Sequence, residues 1–422
     1  MPLIQVFEYE KLTLNIDNKG RYLTKHQLGK LYQFNDNNKN IYFTGIRNGV
    51  KFNQYVGVIQ IGGLTIEILP KADNNKYAVD QDYSNWRSAL LKMLGYCKKI
   101  KLSSVSDANL QRRNHSILDL YFEIFLDEVD FLIRNGLVKK YSRASGNVKA
   151  LKGSLNFAKQ IQNNLIHQER FYTNHQVYNQ DHLINQILFK ALLVLKQISS
   201  NSSFVDRIER LKMNFPEVKL VNVKASHFDQ IVINRKTAKY AKAIQIAKMI
   251  ILKYSPDIKS GQENMMALLF DMNKLWEEYI YRMLLRSKTD DLNISFQNKK
   301  YFWEKRKIKP DLVIEKKQSL GQEKIRFVID TKWKVLSVKN PQPSDDDLKQ
   351  MYAYNMYWGA KRSMLLYPNS KNINEKFGNY LMGRANPEDN QCKVGFINVL
   401  DAEGGLDLNI GSKILQKLDV IR

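Results

Sequence analysis

Two carboxylates and an ammonium group border apolar segments in the C-terminal part of the chain. Asp330 and Lys332 follow the apolar run 327–329, and Asp311 precedes the apolar run 312–314. Side chains two residues apart on a strand share a face, so Asp330 and Lys332 would project together. Mg²⁺ prefers hard oxygen ligands, which two carboxylates, water and a substrate phosphate supply. The pattern predicts a metal-dependent phosphodiesterase site, in which Lys332 positions or helps to deprotonate the attacking water, or neutralises charge on the phosphate.

The two acids belong to segments with the pattern of adjacent strands. Residues 309–314 are typical of a turn that enters a strand, and residues 325–331 of the next strand, with a polar hairpin-like connection at 316–324. Adjacent strands would deliver both acids to one place. The alternative is a solvated antiparallel hairpin in which Asp311 caps the turn and Asp330 pairs with a lysine. That alternative explains either acid singly but not both flanking apolar runs.

Two predicted helices add further polar side chains. Residues 268–286 carry apolar residues at helical spacing, with Glu277 and Glu278 in the middle. Either acid could reach a metal, and a salt-bridged exposed position is the better interpretation for at least one of them. Residues 345–358 form the second helix, with an acidic first turn that suits the helix dipole. Two of its side chains lie one turn apart, Gln350 and Tyr354.

A basic and aromatic segment precedes Asp311. Its cations are Lys299, Lys300, Lys305, Arg306, Lys307 and Lys309, and its aromatic residues are Tyr301, Phe302 and Trp303. Beside a metal site the cations would neutralise phosphates along a DNA groove, a role expected above all of Lys305, Arg306 and Lys309. For the three aromatic residues, packing in a core or on a sheet face is favoured over stacking on bases.

The order of these elements resembles the PD-(D/E)xK nuclease superfamily in its RecB-like branch. The residues at the motif positions are Glu277, Asp311, Asp330, Lys332, Gln350 and Tyr354. The run Tyr-Val-Gly-Val-Ile-Gln-Ile-Gly-Gly-Leu-Thr-Ile-Glu-Ile-Leu-Pro-Lys at 55–71 resembles the McrC family, the nuclease subunit of modification-dependent McrBC restriction systems. Further segments agree with that family, at 134–141, 152–155, 181–185 and 271–277. The resemblance covers about 55–368, while Trp276 replaces the usual Phe and the stretches 199–215 and 369–391 have no counterpart.

The resemblance implies a metal-dependent DNA endonuclease subunit. Glu277, Asp311, Asp330 and the Thr331 carbonyl would hold one or two Mg²⁺, with Mn²⁺ as a substitute, and Lys332 would serve the water and the charged transition state. The products would carry a 5′-phosphate and a 3′-hydroxyl. The implied partner is an McrB-like AAA+ GTPase hexamer, whose GTPase this chain would stimulate and whose pore would receive part of the N-terminal region. The substrate would be double-stranded DNA, modified in the manner of 5-methylcytosine.

The chain divides by pattern into three regions of a multidomain α+β protein. Residues 1–83 form a β-rich N-terminal module, with strands expected at 41–44, 55–61 and 64–69 and a tight turn at Gly62-Gly63. By itself the module could be a scaffold, and the McrC resemblance implies a partner-docking role. Residues 84–260 form a mainly helical connecting region, with helices expected at 86–96, 117–135, 181–198 and 237–254. Residues 261–422 form a C-terminal α/β PD-(D/E)xK nuclease core, after a boundary at 255–261.

Composition is consistent with a nucleic-acid partner. The chain has 422 residues, more than one ordinary core, and its 66 Lys and Arg against 42 Asp and Glu give a net charge of +24. Such a large positive charge favours a polyanionic partner. The sequence has no long apolar span, so nucleic acid is favoured over a membrane. The alternative is a generically basic proteome rich in Lys and Asn.

Several classes of protein are disfavoured. Cys97 and Cys392 are the two cysteines, too few for a disulfide framework or a Cys-based zinc site, and both are expected to be buried thiols in a reducing compartment. The N terminus lacks the pattern of a signal peptide, so the expected location is cytoplasmic. Neither Gly62-Gly63 nor Gly404-Gly405 precedes a Lys-Ser/Thr pair, so no nucleotide is expected to bind this chain.

Two alternative functions remain open from the residues. The chain could be mainly a non-catalytic assembly and GTPase-activating factor whose nuclease fold is residual. It could also be a free-standing RecB-like DNA repair nuclease. Loss or retention of cleavage in an Asp330 variant separates the first from the endonuclease subunit, and cleavage by the chain with Mg²⁺ alone separates the second.

Overall fold

A computed structural model of the chain describes residues 3–61, 64–71, 80–97, 117–199, 202–255, 265–318, 324–334, 336, 342–368, 375, 377–381 and 390–421. The helices are α1 Lys25–Asn37, α2 Asp80–Tyr96, α3 Ile117–Arg134, α4 Phe157–Asn164, α5 Leu183–Ile198, α6 Ser202–Met213, α7 Ala225–Asp229, α8 Ala241–Lys253, α9 Met272–Arg286, α10 Asp345–Trp358 and α11 Ile410–Lys417, with a 3₁₀ turn at Ala238–Tyr240. The first strands are β1 Leu3–Phe7, β2 Lys11–Thr13, β3 Phe43–Ile46, β4 Gly49–Phe52, β5 Tyr55–Ile61, β6 Leu64–Leu69, β7 Lys140–Val148, β8 Ser154–Leu155, β9 Phe171–Asn179, β10 Tyr254–Ser255 and β11 Met265–Asp271. The later strands are β12 Leu292–Phe296, β13 Lys300–Trp303, β14 Arg306–Ile308, β15 Leu312–Lys316, β16 Ile325–Thr331, β17 Arg362–Pro368, β18 Phe377–Asn379 and β19 Gln391–Ile397.

The chain forms two compact units. The first contains the described residues of 59–65 and 115–268, and the second contains those of 3–58, 66–114 and 269–422. The second unit therefore combines the N-terminal strands, helix α2 and the whole C-terminal part.

The first unit contains helices α3, α5, α6 and α8 and a sheet of order β7-β9-β8. Strand β7 pairs antiparallel with β9 along nine residue pairs. The sequence pattern predicts helices here and does not indicate this sheet. The reason is that β7 and β9 bury few side chains, so neither strand shows the apolar alternation by which a half-buried strand is recognised.

The second unit contains the sheet that carries the predicted acids. Its order is β12-β15-β16-β17-β19-β18, with β12, β15 and β16 antiparallel and β16, β17 and β19 parallel. Strands β15, β16 and β17 bury nearly every side chain, which explains their continuous apolar runs. Helix α10 packs on this sheet through Met351, Tyr354 and Trp358. The side chain of Ser344 caps this helix, and Gly359 ends it in the left-handed conformation.

Local predictions near the site are mostly confirmed. Strands 55–61 and 64–69 and helix 345–358 have the expected bounds. The helix expected to begin at 268 begins instead at Met272, because residues 265–271 form a strand and the Asp271 side chain caps the helix. The Gly62-Gly63 turn and the 256–261 part of the boundary lie outside the described residues. Cys97 and Cys392 are buried thiols that form no disulfide. Within the described ranges no helix is long and apolar enough to cross a membrane.

Candidate active site

The register of two strands brings Asp311 and Asp330 together. Strand β15 runs antiparallel to β16, and Leu312 lies opposite Ile329. The residue before Leu312 and the residue after Ile329 therefore meet at the same edge of the sheet. Both acids are buried there. The structure thus places side by side two carboxylates that lie 19 residues apart in the chain.

Asp311 is held by the end of the neighbouring strand. Its Oδ2 accepts hydrogen bonds from the Thr331 backbone N–H at 2.7 Å and from the Thr331 hydroxyl at 2.9 Å. Burial and the charge of Glu277 raise the pKa of Asp311 to about 6, against the lowering effect of these two donors. A buried acid with a raised pKa beside other acids is typical of a site that acts on a cation or a proton.

Asp330 and Lys332 form a buried ion pair on one face of the chain. Lys332 Nζ lies 2.7 Å from Asp330 Oδ2 and 3.1 Å from Asp347 Oδ1, and it donates to Gln350 Oε1 at 3.3 Å. Burial alone would lower the pKa of Lys332, but Asp330 and Asp347 outweigh burial and raise it. The pKa of Asp330 is also raised, first by burial and then by the charge of Asp311. Lys332 is therefore an ammonium group at neutral pH, fixed by three oxygen atoms.

Helix α9 presents one of its two adjacent acids to this cluster. Glu277 Oε2 accepts a hydrogen bond from Gln297 Nε2 at 3.1 Å. Burial raises the pKa of Glu277, and the charge of Asp330 adds to that effect while the charge of Lys309 opposes it. Glu278 instead pairs with Arg282, one turn along the helix, at 3.3 Å. The charges of Glu277, Asp311 and Asp330 therefore act on one another, and Glu278 belongs to a separate, partly buried ion pair.

A chain of hydrogen bonds joins helix α10 to the segment before β15. Gln350 Nε2 donates to the Tyr354 hydroxyl at 2.7 Å, and that hydroxyl donates to the Lys309 carbonyl at 2.9 Å. Gln350 thus contacts Lys332 through its oxygen and Tyr354 through its nitrogen. The two residues predicted to face one groove serve to fix Lys332 and the approach to Asp311.

The donor set suits a hard divalent cation. Carboxylate oxygens of Asp311 and Asp330 concentrate negative charge in a buried place. Burial is the main cause of their raised pKa values, and nearby acids add to it, Glu277 for Asp311 and Asp311 for Asp330. A bound cation would offset both effects. As the side chains stand, no group of three or more His, Cys, Asp or Glu in the described part of the chain could enclose a metal. Mg²⁺ is commonly held by one or two carboxylates together with waters and substrate phosphates, so these residues fit that mode of binding.

The structure gathers most of the predicted site residues and adds two. Asp347 contacts Lys332, and Gln297 contacts Glu277. Neither Asp347 nor Gln297 was predicted from the sequence as a site residue. Asp347 was visible only as part of an acidic first turn, and Gln297 carried no local signal. Lys305 and Arg306 are exposed on a hairpin that begins beside the cluster.

For the aromatic residues at 301–303, which were expected to pack in a core or on a sheet face, the core position is wrong. Tyr301, Phe302 and Trp303 are exposed by 64%, 50% and 57% on strand β13. Among the described strands β13 pairs only with β14, and a two-stranded ribbon cannot bury side chains as the larger sheet does.

Comparison with known proteins relates most of the chain to a family of restriction system components. The family model for an McrBC 5-methylcytosine restriction system component matches residues 50–368, more than half of the chain. A relative from Escherichia coli K12, the type IV methyl-directed restriction enzyme EcoKMcrBC, is 24% identical over 200 residues, which are 46% of this chain. That match covers 56% of the relative, so the chain spans little more than half of its length.

Two solved structures share the fold. One is a chain of the half-complex from a tetradecameric assembly of Thermococcus gammatolerans McrB AAA+ hexamers with bound McrC, with a TM-score of 0.71, 19% identity and coverage of 100% of both chains. The other is a chain of the T. gammatolerans McrBC complex, with a TM-score of 0.51, 19% identity and coverage of 67% of this chain and 87% of that one. The family match decides the assignment: the chain belongs to the McrBC restriction system component family, as the McrC resemblance implied.

Proposed function

We propose that this chain is the DNA-cleaving subunit of an McrBC-type restriction system, with a PD-(D/E)xK nuclease core in its C-terminal part. The observation that carries the proposal is the cluster of Asp311, Asp330 and Lys332 at one sheet edge, with Glu277 facing it, in a chain of this family. Few reactions other than phosphodiester hydrolysis require paired buried acids and a fixed ammonium group beside an exposed basic segment.

Asp311 and Asp330 are the residues that would hold Mg²⁺ or Mn²⁺, with Glu277 and the Thr331 carbonyl as further ligands. When bound, the metal supplies Lewis-acid stabilisation of the phosphate and a more acidic water. The donors from Thr331 keep one oxygen of Asp311 turned toward β16. Gln297 orients the Glu277 carboxylate in the same manner.

Lys332 acts as a fixed positive charge. Because its pKa is raised, Lys332 keeps its proton at neutral pH and is not available as the neutral amine that would take a proton from water. It donates hydrogen bonds, so it would orient the attacking water and neutralise charge that builds on the phosphate. Asp347 and Gln350 hold Nζ in place for that role and so reduce the reorganisation needed during the reaction.

The partner and the substrate follow from the family. The solved structure with bound McrC contains McrB AAA+ hexamers, and we propose that this chain likewise acts with an McrB-like AAA+ GTPase and stimulates it. The substrate would be double-stranded DNA carrying a modified base of the 5-methylcytosine type. The net charge of +24 favours that polyanion and its rapid association.

The decisive experiment compares Asp330→Asn with Asp346→Asn. Asp330 is in the buried pair, whereas Asp346 is an exposed acid of the first turn of α10. Cleavage of methylated duplex DNA would be measured with the cognate AAA+ partner, GTP and Mg²⁺. We expect Asp330→Asn to lower the rate by about 100-fold or more, since a metal-binding carboxylate is removed, and Asp346→Asn to leave it unchanged.

Two results would favour the alternatives. Full partner-dependent cleavage by Asp330→Asn would indicate an assembly and GTPase-activating factor whose nuclease fold is residual. Efficient cleavage by the purified chain with Mg²⁺ alone, without partner or GTP, would indicate a free-standing repair nuclease.

A further inference from the structure

The hairpin of β13 and β14 has two different faces. Lys307 Nζ lies 4.6 Å from the centre of the Tyr301 ring on one face, and the Arg306 guanidinium lies 5.5 Å from the Trp303 ring on the other. The two pairs alternate because Arg306 and Lys307 are consecutive in β14 and the register shifts between Tyr301 and Trp303. All four side chains are exposed. Each ring thus holds a cation from the neighbouring strand near its face, which restricts the motion of a long side chain before any ligand binds.

Contacts of Lys300 and Phe302 fix the hairpin to the end of helix α10. Lys300 Nζ donates to the Tyr357 carbonyl at 2.7 Å and lies 5.0 Å from the Trp358 ring. The Tyr357 hydroxyl donates to the Phe302 carbonyl at 3.1 Å, and the rings of these two residues lie 5.8 Å apart. The same helix carries Gln350 and Tyr354, so the hairpin is supported by an element of the site.

Both ends of the hairpin begin at the proposed catalytic cluster. The Gln297 N–H donates to the Asp311 carbonyl at 2.8 Å and closes the base of the hairpin. The side chain of Gln297 contacts Glu277, and the Lys309 carbonyl accepts from Tyr354. A four-residue strand reaches about 13 Å. The exposed ring–cation pairs of the hairpin therefore extend from the cluster over a distance that matches a few nucleotides of DNA.

We propose that the two exposed ring–cation pairs of the hairpin, Tyr301 with Lys307 and Trp303 with Arg306, bind the DNA beside the phosphate to be cleaved, with the rings stacking on bases or sugars and the cations pairing with phosphates. This proposal rests on the proposed nuclease function and deepens it, because it adds the rings as contacts in their own right. The occupant is favoured by charge: residues 299–309 contain six Lys or Arg and one acid, Glu304. Aromatic contacts with nucleic acid tolerate any sequence, since every base has a flat face.

Binding at several salt concentrations tests the two kinds of contact separately. The anisotropy of a short fluorescein-labelled DNA duplex would be measured with the full chain in EDTA, which prevents cleavage, over a series of KCl concentrations. Trp303→Ala is expected to weaken binding by about tenfold with little change in salt dependence. Arg306→Gln is expected to reduce the slope of log Kd against log salt by about one. Trp303→Phe keeps a ring and should retain most of the affinity, and Tyr22→Ala, which removes another exposed aromatic ring, should retain all of it.

Three outcomes would overturn this inference. The first is that Trp303→Ala binds DNA as tightly as the wild type, and the second is that the wild-type chain does not bind the duplex. The third is that Trp303→Ala changes the salt slope as much as Arg306→Gln does, which would mean that the ring only positions the cation. The exposed positions allow each variant to fold, and matched melting temperatures would verify that. If the hairpin variants bind DNA like the wild type and all cleave it normally, this inference fails and the nuclease proposal stands. If the wild-type chain does not cleave DNA, the nuclease proposal fails and the binding measurements are unaffected.

Discussion

At the scale of single residues, neighbouring identical side chains have different roles because of what faces them. Glu277 lies among acids and is partly buried, and its pKa is raised. Glu278 pairs with Arg282 on the other side of the helix. A one-residue step on a helix turns a side chain by about 100°. The helical pattern alone placed both glutamates in the middle of the helix, and only their surroundings distinguish them.

Glu277→Gln should lower cleavage and yet stabilise the metal-free protein at alkaline pH. A raised pKa in the folded state means that stability is present at low pH and is lost as the pH rises through that pKa. Removal of the charge abolishes that loss, so the melting temperature at pH 8 should rise above wild type while at low pH the two should agree. We expect cleavage to fall by about 10- to 100-fold, as for other groups that orient a metal site. Glu278→Gln is the control, and equal effects of both variants on cleavage would contradict this assignment.

At the scale of elements, helix α10 connects three parts of the proposed site. Its first turn supplies Asp347, its middle supplies Gln350 and Tyr354, and its end holds the hairpin through Tyr357. Its start is fixed by the Ser344 side chain, which accepts from the Asp347 N–H at 3.2 Å. The position of Lys332 therefore depends on how firmly this helix begins.

Ser344→Ala should weaken both the helix and the site. Loss of the cap is expected to lower the free energy of unfolding by about 1 kcal/mol. The cleavage rate should also fall, since Asp347 would hold Lys332 less firmly. Ser344→Asp retains a capping oxygen and should restore both properties, as measured by urea unfolding and by single-turnover cleavage. If Ser344→Asp fails like Ser344→Ala, the cap is not the cause.

At the scale of the whole molecule, the second unit joins the N-terminal part of the sequence to the segment that follows β16, at a buried carboxylate. Glu8, at the end of β1, accepts from Trp333 Nε1 at 2.6 Å and from the Lys71 N–H at 2.9 Å. Trp333 follows Lys332 directly in the chain. Burial raises the pKa of Glu8 to about 7 in spite of these two donors. The N-terminal strand thus supports the segment that carries the ammonium of the proposed site.

Glu8 should make unfolding pH-dependent near neutrality. Its pKa rises from 4.5 to about 7 on folding, so its contribution to stability is complete below about pH 4.5 and is lost as the pH rises through 7. Glu8→Gln removes that loss, and relative to wild type it should gain up to about 3 kcal/mol of unfolding free energy between pH 5 and pH 8. Urea unfolding at both values measures the change, with the exposed Glu403→Gln as control. If the free energy of unfolding changes equally in wild type and in Glu8→Gln between pH 5 and pH 8, Glu8 is not the cause of the pH dependence.

Much of the proposed site follows from local sequence. Strand alternation placed Asp330 and Lys332 on one face, and the paired apolar runs predicted that Asp311 would lie beside them, as the register of β15 and β16 has it. Helical spacing gave α10 its bounds and set Gln350 one turn from Tyr354. These features are periodic, so a short window of residues contains them.

Tertiary structure decided what no short window contains. It determined that Glu277 and not Glu278 faces the acids, that Asp347 and Gln297 hold the functional groups, that residues 301–303 stay exposed, and that Glu8 supports Trp333. Each of these depends on which distant segment packs against a residue, and burial, ion pairing and pKa arise from that contact. The sequence by itself determined the order and the local face of the reactive groups, and the fold determined their charge, their partners and their exposure.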